Sequence, residues 1–402
     1  MRMKRQILTV LCLMLTMSAC TQSYISQNWI TVFWPGRFQM DEYLPMLENK
    51  RVAFCGNQTA LVGSESTTLH LVDSLLKLHV NVVKLFCPEH GFRGQAEAGA
   101  KIASGKDAQT GLPVVSLYGK NKKPTAEQLQ DVDVILFDLQ DVGCRFYTYI
   151  STLHYVMEAA AENHVKVIVL DNPNPNGFYV DGPVLDPKYK SFVGMHPVPI
   201  VYGMTIGEYA QMINGEKWLA NGMQCDLTVV KMEGYDRQYR YSLGMPPSPN
   251  LQTKESIFLY PSLCLFEGTN ISVGRGTDMP FEMYGAPQLQ TGDYRFTPHA
   301  IPGVSENPPH KDKECRGFLL HYEAVKGLKE EGRFNLSYLM TAYANYADKE
   351  HFFLGNNFFD KLAGNDQLRK QIEEGWSEEE IRASWQPELD KFKEIRARYL
   401  LY

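Results

Sequence analysis

Glu89 and His90 are the first residues in the chain whose setting suggests chemistry. Pro88 and Gly91 enclose them within Lys84-Leu-Phe-Cys-Pro-Glu-His-Gly-Phe-Arg-Gly94. A turn of this composition at the end of an apolar run presents a carboxyl and an imidazole from a strand end, where an open parallel sheet keeps its chemistry. With Phe86 and Phe92 on either side to exclude water, Glu89 is a candidate general acid, a group that hands a proton to a leaving atom. The plainer reading is an ion pair with Arg93 that only pins the loop. His90 is a candidate substrate contact, although a lone histidine is more often structural.

Two further stretches concentrate polar groups. Asp138-Leu-Gln-Asp-Val-Gly-Cys-Arg-Phe-Tyr-Thr-Tyr149 places two carboxylates, a guanidinium and two phenols between a strand and a helix, more than helix capping requires. Asp138, which directly ends the apolar run, is the candidate second acid. Asp141, Arg145 and Tyr147 are candidate binding groups, with the alternative that Asp141 braces the turn and Arg145 bridges to Asp138 or Asp141. Phe266 to Glu282 is the other concentration. There Glu267, Asn270 and Glu282 are residue types that contact sugars. Arg275 lies between two glycines that allow the backbone to approach a ligand closely, the alternative being a surface turn held by Asp278. Asn57 and Asn172 complete the set of candidates, because each follows another apolar run.

Those runs define the elements that must position the site. Arg51 to Cys55, Lys84 to Cys87, Val132 to Phe137 and Val165 to Leu170 read as strands, each ending in polar residues. Between them, Thr67 to His79 and Tyr147 to Asn163 carry apolar residues at helical spacing. Strands alternating with amphipathic helices indicate an α/β fold with a parallel sheet. Thr205-Ile-Gly-Glu208 fits a capping box, so Glu208 reads as a cap rather than a catalyst. After residue 204 the pattern changes: Cys225 to Met232 reads as a strand, Pro246 to Pro249 as a rigid connection, and 267 to 312 shows few periods. Helices return at about 335 to 347, 365 to 374 and 377 to 399, the last opened by Ser377-Glu-Glu-Glu380. The expected division is a signal segment over 1–19, a loosely docked tether over 20–40, a Rossmann-like sheet domain over 41–204, and a smaller α+β domain over 205–402.

Several function classes are disfavoured. There is no GxSxG, no HExxH and no GxGxxG after the first strand, and Gly99 to Lys106 misses a P-loop by one residue, with Asp107 where Ser or Thr should bind magnesium. The 402 residues are 44% hydrophobic and 12% aromatic, enough for an ample core without disulfide staples. At the N-terminus, Arg2, Lys4 and Arg5 precede an apolar stretch from Ile7 to Met17 and then Ser18-Ala19-Cys20, which reads as an export signal with a lipobox-like end. This places lipidation on Cys20 and the protein in the cell envelope, as a membrane-anchored lipoprotein facing the periplasm or cell surface. Cleavage there would move the formal charge from −6 to −9, so nucleic acid is not an expected partner. Cys55, Cys87, Cys144, Cys225, Cys264 and Cys315 show no metal-ligand spacing and read as small buried residues. No metal is expected.

Pro88 to Gly94, Phe137 to Gly143 with Arg145 to Tyr149, Asp171-Asn-Pro-Asn-Pro175, and Glu267-Gly-Thr-Asn270 with Gly274 to Asp278 together resemble the exo-β-N-acetylmuramidase family of peptidoglycan hydrolases, once known only as a domain of unknown function. The resemblance covers the chain from about residue 42. It implies a Rossmann-like N-terminal domain, a smaller C-terminal domain and an active site in the cleft between them. It also implies release of N-acetylmuramic acid from the non-reducing ends of glycan fragments, with Glu89 at the position of the family's catalytic glutamate. The chain departs from the family pattern at Asn172, where Arg would be expected. No nicotinamide or other cofactor is implied, since the layout lacks the glycine fingerprint. The rival expectation from another class is a catalytically silent lipoprotein that binds cell-wall fragments in the same cleft.

Overall fold

The structure is a computed structural model describing residues 23–26, 29–63, 67–93, 105–320 and 322–402. The export signal, Cys20 and much of the P-loop-like stretch lie outside the described residues. Six parallel strands form the central layer: β1 (Val52–Gly56), β2 (Val82–Cys87), β4 (Pro113–Ser116), β5 (Val134–Asp138), β6 (Lys166–Leu170) and β7 (Leu227–Val230), with the short antiparallel β3 (Gly105–Lys106) at one edge. Their spatial order is β7-β6-β5-β1-β2-β4-β3. This is the doubly wound order, in which the winding of successive strands changes side between β1 and β5.

Every residue of β1 and β5 is buried, as strands covered on both faces must be. The period of two decides which core each side chain joins. Ala53, Cys55, Phe86, Ile135 and Phe137 pack on one face beneath α3 (Tyr149–Glu162) and α4 (Ile206–Gly215). Phe54, Leu85, Leu136 and Ile168 pack on the other, with α1 (Met40–Leu47) and α2 (Leu71–Lys77). The Thr205 hydroxyl and Glu208 carboxylate cap α4 reciprocally, as the capping-box pattern predicts. α2 starts later than its periodicity suggests, because Leu69–His70 pairs with Leu61–Val62 and His70 itself caps the helix.

Two expectations change. The sheet does not end near residue 204: α4 covers it and β7 pairs with β6 in parallel register, so the first unit extends past that boundary. The segment after residue 32 is not a loose tether. Phe33 is fully buried against Tyr235 and Tyr241, Trp34 pairs with Glu233, and the Gly36 amide donates to the Asp171 carbonyl at 2.8 Å.

The second unit opens at α5 (Lys254–Leu263). It adds the antiparallel strands β8 (Met283–Ala286), β9 (Tyr294–Phe296) and β10 (Cys315–Leu319), with β10 central. Its helices are α6 (Tyr322–Glu331), α7 (Ser337–Ala344), α8 (Phe358–Ala363), α9 (Gln367–Glu374) and α10 (Glu378–Ala397). α10 returns to the first unit, where Arg396 donates to the Gly203 carbonyl and Tyr402 to Asp171. The six described cysteines are buried free thiols, and no helix among the described residues is long and apolar enough to cross a membrane.

Arg145 joins the two units. Its guanidinium donates to the carbonyls of Pro183, Val198 and Leu362, the last at the C-terminal end of α8. Burial lowers its pKa to about 10, still above neutrality. Gly364, which terminates α8 with φ 83°, leaves the room: a Cβ there would lie 2.6 Å from Arg145 Nη2. Gly375 has nearly the same φ, 78°, but nothing within 4 Å of such a Cβ. Gly375→Ala should therefore cost only the left-handed backbone penalty of about 1–2 kcal/mol. Gly364→Ala should cost at least about 1 kcal/mol more through the clash, measured by denaturant unfolding; equal losses would contradict this packing.

Candidate active site

The turn after β2 holds the principal carboxyl. Its Gly91 amide donates to the Pro88 carbonyl at 3.2 Å, and His90 takes a φ of 72°, uncommon for a side-chain-bearing residue. Glu89 is half-buried, and Thr148, the residue that starts α3, donates to its Oε2 at 3.0 Å. Tyr118, which follows β4, sits beside it; burial first and the Glu89 carboxylate second push that phenol's pKa upward. Arg93 is not what holds this turn. Its guanidinium is bidentate on Asp107 at 3.0 and 2.8 Å.

Glu89 opens on a cavity of about 700 Å³ between the two units, within the range of about 300–1,000 Å³ that suits small ligands. The first unit supplies Glu89, His90, Tyr118, Phe146 to Tyr149, Phe192 and Val193, and the second supplies Tyr260, Glu267, Asn270, Arg275, Phe281 and His310. Aromatic rings run edge to face across the seam: Tyr149 on Tyr147 at 4.7 Å, Tyr147 on Tyr260 at 5.9 Å, and Tyr260 on Phe281 at 5.0 Å. The proline connection fixes the near end, since the Tyr147 and Tyr149 hydroxyls both donate to the Pro247 carbonyl, at 3.0 and 3.2 Å.

At the far end Arg275 lies 5.0 Å from the Phe281 ring centre and donates through Nε to Glu267 at 2.6 Å. Burial lowers the Arg275 pKa, but the charge and hydrogen bond of Glu267, with smaller contributions from Tyr260 and Cys264, together outweigh it, so the net shift is upward. Asp278, the partner the sequence offered, is exposed. Using Nε for Glu267 orients the guanidinium and leaves its two-nitrogen end for a planar anion.

The N-terminal profile of the exo-β-N-acetylmuramidase NamZ matches residues 52–255 and the C-terminal profile matches residues 258–402. The chain is 42% identical over 385 residues to the peptidoglycan β-N-acetylmuramidase NamZ of Bacillus subtilis, covering 90% of this chain and 89% of that one. Two crystal structures of DUF1343 family proteins from Bacteroides fragilis share the fold. They have TM-scores of 0.83 and 0.75 at 46% and 31% identity, each covering 92% of this chain and 99% of its own. The chain belongs to the exo-β-N-acetylmuramidase family.

Of the residues singled out from the sequence of this family member, Glu89, His90, Tyr147, Glu267, Asn270 and Arg275 line the cavity. The others support it from behind or lie off its wall. Asn57 donates to the Tyr149 hydroxyl at 2.8 Å, and Glu282 accepts from Thr253 at 2.6 Å. Asp141 is buried, braces its turn by accepting from the Gly143 amide and the Tyr202 hydroxyl, and has its pKa raised to about 6 by burial. Arg145 makes neither of the carboxylate bridges considered for it. Thr148, Tyr118, Tyr260 and His310 were not singled out. Tyr118 repeats the strand-end pattern and was recoverable from it, whereas nothing in the sequence marks Tyr260 or His310.

Asp138 does not line the cavity. It lies fully buried beside Gly56 at the point where the sheet reverses, held by Arg37 at 2.9 and 3.0 Å and by the Asn172 amide at 2.8 Å. Asn172 also accepts from Arg37, so the guanidinium in this network comes from the N-terminal segment rather than from position 172. The second-acid role expected of Asp138 is out of its reach, because the carboxylate is spent on a structural ion pair. Arg37→Met and Asp138→Asn should each destabilise by about 3 kcal/mol or more, since each strands a buried partner. The double variant should lose about 1–3 kcal/mol less than the sum. Additive losses in unfolding experiments would contradict the pairing.

Proposed function

We propose that the protein is an exo-acting glycoside hydrolase that releases N-acetylmuramic acid from the non-reducing ends of peptidoglycan fragments, with Glu89 as the general acid. The observation that carries this reading is the placement of Glu89 and Glu267, the only carboxylates among the described lining residues, on one sugar-sized cavity rimmed by aromatic rings. Membership of the family and the peptidoglycan β-N-acetylmuramidase named as a relative support the same reading.

In this mechanism Glu89 gives its proton to the glycosidic oxygen as the bond to the muramyl C1 breaks and positive charge develops on the ring; a water then adds to C1 and releases a proton, which completes the hydrolysis. Thr148 and Tyr118 hold the carboxyl in place. Glu267 is the second acidic group, and its charge stabilises the developing cation while its other oxygen holds Arg275. The Arg275 fork takes the lactyl carboxylate, the group that distinguishes N-acetylmuramic acid from N-acetylglucosamine. Lipidation at Cys20 and a place in the cell envelope remain part of the proposal.

Glu89→Gln keeps the size and most hydrogen bonds of the side chain but removes the proton. It should lower kcat by about 10²- to 10⁴-fold on a glycan with a sugar leaving group while binding is retained; near wild-type turnover would exclude Glu89 as the acid. Chromogenic β-glycosides of N-acetylmuramic acid and N-acetylglucosamine test the substrate assignment directly. Wild type should cleave the first far better, and Arg275→Ala should reduce that preference by about 30-fold or more, the loss typical of a partly desolvated charge pair. Release from neither glycoside would favour a binding protein. An equal loss on both for Arg275→Ala would remove the lactyl contact.

A further inference from the structure

From Tyr118, beside Glu89, the same wall continues beyond the cavity mouth as a ledge whose other residues the reaction at Glu89 does not use. Tyr118 and Phe192, both on the cavity, pack at 6.0 Å between ring centres; Tyr155 stacks on Phe192 at 6.3 Å, and Lys122 Nζ lies 4.5 Å over the Phe192 ring. All four side chains are half-buried rather than sealed in the core. The ledge is built, because Ser151 donates to the Phe192 carbonyl at 2.7 Å and Ser191 and Gly194 exchange backbone hydrogen bonds across the tight turn that carries Phe192. It lies on the β4 side of Glu89, since Tyr118 follows β4 and β4 flanks β2 away from β1.

Its charge is also distinctive. Lys122, which rests on the Phe192 ring, forms no ion pair among the described residues, unlike neighbouring Lys123, which is taken by Glu158 and Glu162. A chain of net charge −6 thus keeps on this ledge an ammonium that no carboxylate of the described residues pairs. Aromatic faces suit the apolar C–H face of a pyranose, and an ammonium that rests on a ring is readily recruited by a carboxylate.

We propose that Tyr118, Phe192, Tyr155 and Lys122 form the subsite for the leaving part of the glycan, with the rings under the neutral sugar next to the broken bond and Lys122 reading a carboxylate one sugar further on. This rests on the function proposed above. Rings with a cation beside them match a glycan in which an N-acetylglucosamine leaving group is followed by another muramyl residue. That residue supplies the carboxylate either from its lactyl group or from a peptide attached to it.

The test compares kcat/KM for the muramyl disaccharide MurNAc-GlcNAc and the tetrasaccharide (MurNAc-GlcNAc)₂. Three tetrasaccharides are needed, with the inner lactyl group free, amidated, or carrying a peptide. Wild type should prefer the free-lactyl tetrasaccharide over the disaccharide. Lys122→Ala should lower that ratio by about three- to fivefold, as expected for one partly exposed charge contact, and high salt should do the same. Loss of preference on amidation assigns the lactyl carboxylate; preference kept only by the peptide form assigns the peptide. A wild type that cleaves the two lengths equally, or a Lys122→Ala variant with an unchanged ratio on every form, overturns the subsite while leaving the muramidase reading intact. Failure to cleave any of the substrates would instead overturn the muramidase reading.

Discussion

The active cavity depends on a cation buried without a counter-charge. Arg145 is fully enclosed, and its hydrogen bonds go only to three carbonyls, two from the loop 183–198 of the first unit and one from the end of α8 in the second. Enclosing a guanidinium is expensive unless its donors are met; the three carbonyls take Nη1 and Nη2, that of Leu362 with the favourable end of a helix dipole, while Nε is buried without a partner. The residues directly after Arg145, Phe146 to Tyr149, are one wall of the cavity, while Phe358 at the start of α8 lies on the other. One guanidinium thus ties together walls that belong to different units.

A buried ion pair occupies the place where a doubly wound sheet usually holds a ligand. In such sheets the crevice between the strands that diverge is the usual place for a phosphate. Here Asp138 and Asn172 fill it and Arg37 closes it, carried there by a segment that packs so tightly that a Cβ on Gly36 would sit 2.4 Å from the Val230 carbonyl. The cavity has moved along the sheet to the ends of β2 and β4 and borrows its other half from the second unit.

The first unit was largely legible in the sequence, because buried parallel strands and amphipathic helices leave strong periodic signals and their polar endings mark the site edge. That is why Glu89, His90 and Tyr147 emerge from local pattern. Asp138 and Arg145 emerged as well, but in roles the structure does not give them: a strand-ending carboxylate looks the same whether it faces a cleft or an arginine 101 residues away. The second unit was less legible. β8, β9 and β10 are short strands in a stretch rich in Gly and Pro, and their pairing is set by tertiary contact rather than by local propensity. Arg275 was found by its glycines, yet its partner Glu267 lies eight residues back across a turn that no spacing rule anticipates.

The central claim is that one cavity holds the muramyl ring with its reacting carbon at Glu89 and its lactyl group at Arg275. A crystal structure with N-acetylmuramic acid bound tests this most directly. The account predicts the anomeric oxygen within about 3 Å of a Glu89 carboxyl oxygen, and the lactyl carboxylate in the Arg275 fork. A sugar bound outside this cavity, or inside it with the anomeric carbon turned away from Glu89, would contradict the account.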